Sequence, residues 1–372
     1  MESLSKWIYG IKHKTQAVRQ LVPIKDINRA KNVIRHCDPF AYNINQRFHT
    51  TIQYYFDKLT ENQKTIYNLM KSGIEGFAEE IKLPLKPIDE ISTILNYLRL
   101  DNPLIYYVST FSQSSDYFNK TCRIMPQYIY SRRSVKENEA AIMNYLRVFD
   151  AVKTKSDFEK ELFVHDYCLN NFRYDYSFKD DSFSIIGPVF HKTAVCAGIA
   201  RFAKLAFDYI GIKSLIVSGE AKNPLIDSST EKHAWNIVKI GGNAYHLDVT
   251  FDMGLTGKLK RYDYFNLSDE DIKKDHVINK DVPACTTERN DYYSINSLYV
   301  YSPAELEKHI VNNLKKGKKY LIVKLVNARF TNNVVDKVMQ IAQTQYCNFY
   351  NRSVWVETSY NSSQMVFQII FK

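Results

Sequence analysis

The stretch Thr193–Lys204, "TAVCAGIARFAK", sets one cysteine among small residues at what reads as the first turn of a helix. With Thr193 as the cap, Cys196 is the third helical position. Ile199, Phe202, Ala203, Phe207 and Ile210 then form one apolar stripe, and Gly211 suits the C-terminal cap. A buried, rigid helix is expected. A thiol in its first turn lies at the positive end of the helix dipole, which favours thiolate over thiol and lowers a reference pKa of about 8.5. Small Ala197 and Gly198 leave room for a substrate backbone, and the unpaired amide of Cys196 or Ala197 can donate to a developing oxyanion. Since free cysteine is otherwise a small buried hydrophobe, the thiol needs a base before it counts as a nucleophile.

The candidate base lies in "KHAWNIVKIGGNAYHLDVTFD", which reads as a β-hairpin turning at Gly241 and Gly242. A two-residue loop sets Ile240 opposite Asn243, His233 opposite Thr250 and Trp235 opposite Asp248. His233 and Asp248 then lie diagonally on one face, where the carboxylate can hold the imidazole. A three-residue loop, Gly241 to Asn243, would put them on opposite faces unless a bulge intervened. In the first arrangement Cys196 is the nucleophile, His233 the general base and acid, and Asp248 the orienting residue.

Other residues compete for these roles. His246 shares a face with Asp248 by strand parity, and His191 precedes the thiol by five residues; each is an alternative base. Trp235 is either a wall of the cleft or core packing, and Tyr174 and Tyr176 are candidate side-chain donors to the oxyanion or simple packing residues. Cys196, His233, His246 and Asp248 have the donor types of a zinc site, but their spacing fits no familiar zinc pattern. "SDEDIKKDH" lacks the alternating ligands and central glycine of a calcium loop, and reads as a helix start capped by Ser268. No cofactor or metal is expected.

Around this centre the chain reads as an ordinary globular protein. Its 372 residues are 45% hydrophobic and 14% aromatic, enough for a sizeable core and more than one domain. The net charge of +10 is scattered, so it describes a solvated surface and no nucleic-acid partner is expected. No run of about 18 apolar residues is present, so no membrane span is expected. The first residues lack the apolar core of a secretory signal, which suggests a cytoplasmic protein. The six cysteines, Cys37, Cys122, Cys168, Cys196, Cys285 and Cys347, are far apart with no CxxC and fit reduced thiols.

Upstream, helical periodicity runs from about Asn43 to Ile81, with a Thr60 cap and Gln63 at the capping-box position. A further helix follows in "LPLKPIDEISTILNYLRLDNP", then strands in "LIYYVSTF" and "CRIMPQYIYSRR". Helices follow from about Val135 to Phe172, the second capped by Ser156 with Glu159. "SLIVSGEA", "HAWNIVKI" and "NAYHLDVTF" read as strands. From about Asp291 the pattern is strand "YYSINSLYVYS", helix, strand, helix and two closing strands.

"AVCAGIARFAKLAF", "HAWNIV" and "YHLDVTFD", in this order, resemble the core of the transglutaminase-like superfamily of papain-related cysteine enzymes, in its bacterial form. "YCLNNFRYDYS" and "YDYFNLSDEDIKKDH" look like the segments that flank this core. The likeness covers roughly residues 155 to 280, with a weaker one before it; members often carry Trp where Phe251 stands, and an aromatic ring is kept. The resemblance implies Cys196 as nucleophile, His233 as base and Asp248 as orienting residue. The fold expected is α+β: a mixed N-terminal module over 1–150, a catalytic core over 151–285 with the cysteine helix packed on an antiparallel sheet, and a small α+β domain over 286–372. The function expected is acyl transfer from an amide of a protein or peptide through a thioester, resolved by water or by an amine. The alternative is an inactive module of the same fold that binds a peptide or cell-wall fragment. The sequence does not set the oligomeric state.

Overall fold

The computed structural model describes residues 52–222, 230–257, 259–278 and 282–372. The start of the expected first helix pair, residues 43–51, lies outside them, as do Cys37 and the segment read for a signal. The chain divides into two compact units: residues 1–217 with 234–241, and residues 218–233 with 242–372.

In the first unit, helices α1 (Tyr54–Asp57) and α2 (Glu61–Glu75) precede strand β1 (Ile81–Pro84) and helix α3 (Ile88–Asp101). Thr60 and Gln63 form the expected capping box on α2. β1 was not expected, because Ile81 reads as the end of a helical stripe. The chain instead pairs Ile81 with Ile124 of β3 (Thr121–Tyr128), and alternate β1 residues are buried. β3 is the middle strand of a three-stranded sheet whose other edge is β2 (Val108–Asp116), which starts later than "LIYYVSTF" suggested. Helix α4 (Arg132–Leu146), a 3₁₀ segment (Arg147–Val152) and α5 (Asp157–Asn171) follow, with Ser156 and Glu159 closing the second capping box.

Strands β4 (Arg173–Tyr174) and β5 (Thr193–Ala194) form a short parallel pair ahead of α6 (Cys196–Ile210), the cysteine helix. Its apolar stripe is buried, with Phe202 touching the rings of Tyr145, Phe149, Tyr167 and Phe172. Gly211 ends the helix at φ 81°, a left-handed conformation that glycine adopts without steric cost.

A five-stranded sheet has the order β10–β6–β7–β8–β9, where β6 is Ser214–Ala221, β7 Glu231–Ile240, β8 Asn243–Leu247, β9 Phe265–Leu267 and β10 His276–Ile278. The division into units falls within β6 and β7. Gly241 and Gly242 make the two-residue turn after β7 with φ of 55° and 91°, both positive as a type I′ hairpin turn requires. The strand expected through "DVTF" stops at Leu247. Asp248 instead caps α7 (Val249–Leu255), its carboxylate accepting from the amides of Thr250 and Phe251. The β-branched Val249 and Thr250 favour a strand, but the cap and burial on α7 outweigh that preference.

In the second unit, Ser268 caps α8 (Asp269–Ile272), as expected. "YYSIN" forms the short helix α9 (Tyr292–Ile295), capped by Asp291, and only β11 (Tyr299–Val300) of the expected strand is extended. Helix α10 (Pro303–Lys315), β12 (Tyr320–Leu325), α11 (Asn332–Tyr350), β13 (Val356–Asn361) and β14 (Val366–Phe371) follow. The sheet order is β11–β12–β14–β13. Ile310, Val323, Ala342, Phe367 and Ile369 are fully buried in one core between these helices and this sheet.

Candidate active site

The cysteine is placed from below by a carboxylate. Asp175 accepts hydrogen bonds from the amides of Ser177 and Lys179 and from the hydroxyls of Ser177 and Ser182, which fixes the loop between β4 and β5. Burial raises the pKa of this carboxyl, but the four bonds outweigh it and hold the group at about 2. The carbonyl of Ser182 then accepts the amide of Val195 at 3.0 Å. Val195 is the N-terminal cap, so Cys196 is the first helical residue and not the third. Thr193 does not cap, because it is held in the parallel pair with Arg173. Cys196 and Ala197 are part-exposed. Among the described residues the amides of both lack a backbone partner, whereas those of Gly198 and Ile199 bond back to Val195. Gly198 is small for a reason other than substrate access: a Cβ there would fall on the Ser182 carbonyl. Arg201, one turn on, donates to the carbonyls of Ala197 and Phe183.

The other candidate residues of the first unit differ in exposure. Trp235 is 1% exposed, so its ring packs the interior and has almost no surface for a substrate. Tyr174 and Tyr176 are half-buried and pack ring to ring at 5.2 Å, and burial pushes the Tyr176 hydroxyl up to about 12. His191 pairs with Asp181 at 3.1 Å.

In the second unit, the Nε2 of His233 lies 2.6 Å from the Oδ2 of Asp248. The expected partnership is present, although Asp248 holds the ring from a helix cap and not from a strand. The Oδ1 of Asp248 accepts the amides of Thr250 (2.9 Å) and Phe251 (3.1 Å). Burial alone would raise this carboxyl, but the two imidazoles it meets and the bonds they make hold it far below the carboxylate range. The second imidazole is His276, whose Nε2 lies 3.0 Å from the same Oδ2. Its Nδ1 lies 2.6 Å from the Oδ1 of Asp275, and Asp275 also accepts the Tyr264 hydroxyl at 2.6 Å. The ring of Phe251 covers both imidazoles, at 4.9 Å from His233 and 4.6 Å from His276. Sequence reading missed His276. It enters through the pairing of β10 with β6, which sets His276 opposite Ala221, and no local spacing shows that register.

His246, the alternative base, has a carboxylate partner other than Asp248. It points to Asp269 at 2.8 Å, and burial keeps its pKa below the usual value. The four residues considered from sequence for zinc do not form one set: among the described residues His233, Asp248 and His276 come together as one group of possible metal donors, and His246, Asp269 and Cys285 as another. That trio has donor types found in metal sites, but the imidazole–carboxylate bond already accounts for two of them. Among the described residues no helix is long and apolar enough to cross a membrane.

The family model of the transglutaminase-like superfamily matches residues 147–249, a span that holds Cys196, His233 and Asp248 and stops short of His276. No curated protein matches the chain. Among solved structures, a TGase is 16% identical over 49% of this chain and 52% of its own, with a TM-score of 0.28. A candidate cysteine protease from Cytophaga hutchinsonii is 16% identical over 38% and 62%, with a TM-score of 0.23. A candidate protease from Parabacteroides distasonis is 13% identical over 38% and 36%, with a TM-score of 0.20. The chain thus spans about half the length of the first of these structures. The likeness to the transglutaminase-like superfamily thus rests on residues 147–249, the segment that its family model matches.

Proposed function

We propose that the protein is a cysteine acyl-transfer enzyme acting on an amide of a protein or peptide, with Cys196 as nucleophile, His233 as base and Asp248 as orienting residue. The observation that carries this reading is the 2.6 Å contact between His233 and the buried Asp248. With Nε2 engaged by the carboxylate, the ring tautomer is set and Nδ1 takes the thiol proton. The Cys196 sulfur attacks the carbonyl carbon, the C–N bond breaks, and His233 returns the proton to the leaving amine. The first-turn amides of Cys196 and Ala197 supply donors for the oxyanion. Water or a second amine then attacks the thioester, giving hydrolysis or transamidation.

The test is iodoacetamide labelling between pH 4 and 9 with peptide mapping, on the wild type and His233→Ala. Cys196 is expected to react well below the pH at which a free thiol does, and to lose that advantage without His233. Labelling of Cys196 no faster than that of the other cysteines, in both proteins, would leave a binding module and no enzyme.

A further inference from the structure

Every acceptor position of Asp248 is in use. Its Oδ1 takes two backbone amides and its Oδ2 faces two imidazoles, which accounts for about four lone-pair sites of an ionised carboxylate. His276 is the unusual member. Both of its ring nitrogens face carboxylate oxygens, at 3.0 Å from Asp248 and 2.6 Å from Asp275. A neutral ring would turn a bare nitrogen toward one of them, and both nitrogens can donate only in the imidazolium. The proton on the Asp275 side belongs to the ring, because imidazole is the stronger base, about 6.5 against about 3.9 in reference pKa. Asp275 in turn is fixed by the Tyr264 hydroxyl.

We propose that His276 is a positioning residue of the site: a buried imidazolium clamped between Asp248 and Asp275, which shares Oδ2 with His233 and so limits how strongly that carboxylate binds a proton on His233. The idea rests on the proposed role of His233 as base for its consequence, but not for its test. The two rings lie 5.5 Å apart between centroids, so a charge on His276 opposes a second charge on His233. A base must be neutral before it can take the thiol proton, and this arrangement keeps His233 neutral to lower pH than Asp248 alone would allow.

The charged and titratable groups around the pair fit this picture. Asp248 and Asp275 both draw protons onto His276, and together they outweigh its burial, so its pKa is raised. Tyr264 is pushed far up by burial and by Asp275, and stays a neutral donor. His246 is held low first by burial and also by the charge of His276. Glu231 is a second acidic group, beside Asp248, that feels His233, and burial raises its own pKa.

The test is ¹⁵N imidazole NMR on the full chain, labelled at histidine and assigned by single substitutions, titrated between pH 5 and 9. In the wild type both nitrogens of His276 are expected to carry protons at pH 7, while His233 titrates at lower pH. In His276→Gln, which keeps a donor but not the charge, the His233 midpoint should rise by about one pH unit, tenfold in proton affinity. If His276→Gln does not fold, Asp275→Asn serves: His276 should lose its second proton at pH 7 and the His233 midpoint should rise. A bare His276 nitrogen at pH 7 in the wild type, or an unmoved His233 midpoint in either folded variant, overturns the proposal. Cysteine labelling is no part of this experiment, so its outcome is independent of whether Cys196 is a nucleophile.

Discussion

At the scale of single residues, two carboxylates do most of the placing, and each makes a prediction. Asp175 titrates at about 2 in the fold, below its unfolded value of about 3.9. A depressed carboxyl stabilises the fold above its unfolded pKa, and the contribution is lost as pH falls toward the folded one. Urea denaturation of the wild type should therefore weaken between about pH 4 and pH 2, and Asp175→Asn should flatten that slope. At pH 7 the same substitution should cost about 1–3 kcal/mol, because one charged acceptor of several bonds is lost. Asp248 has the same sign through stronger partners. His233 and Asp248 were legible in sequence because two glycines fix the turn and the turn fixes parity. His276 was not, since its 28-residue separation from Asp248 is closed by strand pairing. Gly198 shows a subtler failure: a small residue beside a thiol reads as substrate access, while its neighbour is the chain's own Ser182 carbonyl.

At the scale of elements, the first turn of α6 and the cap of α5 are the parts to probe. Gly198→Ala forces a Cβ onto backbone that cannot give way, and should lower stability by about 1–3 kcal/mol, read by chemical denaturation. Ser156→Ala removes one half of a capping box on α5 and should cost about 0.5–2 kcal/mol by the same measurement, while leaving the m-value unchanged. Both capping boxes were legible, because a hydroxyl followed three residues later by Gln or Glu is a local signal. The helix at "DVTF" was not, because Val249, Thr250 and Phe251 have strand propensity and only the burial of α7 and its cap decide otherwise. The register of the cysteine was likewise set from a distance. Asp175, through Ser182, makes Val195 the cap, two residues later than Thr193 suggested.

At the scale of the whole molecule, the second unit is held together by a buried cation. Lys324 of β12 bridges Asp271 of α8 at 3.1 Å and Asp291, the cap of α9, at 3.2 Å. Removing the lysine takes the cation from buried Asp291 and leaves Asp271 with Lys274 alone, and Lys324→Ala should cost about 3–5 kcal/mol in urea denaturation. Phe367→Ala, which empties part of the C-terminal core, should cost about 3–5 kcal/mol. The alternation of helix and strand in this region was legible, whereas the Lys324 bridge spans 53 residues and has no counterpart in periodicity.

The double use of Asp248 has one more consequence. The oxygen that faces the imidazoles and the oxygen that caps α7 belong to one carboxylate, so the amides of Thr250 and Phe251 share an acceptor with the charge state of His233. Hydrogen exchange at these two amides would therefore act as a spectator of proton transfer. A carboxylate that loosens its hold on a ring is free to reorient, and the opening would be recorded in the backbone without any substrate.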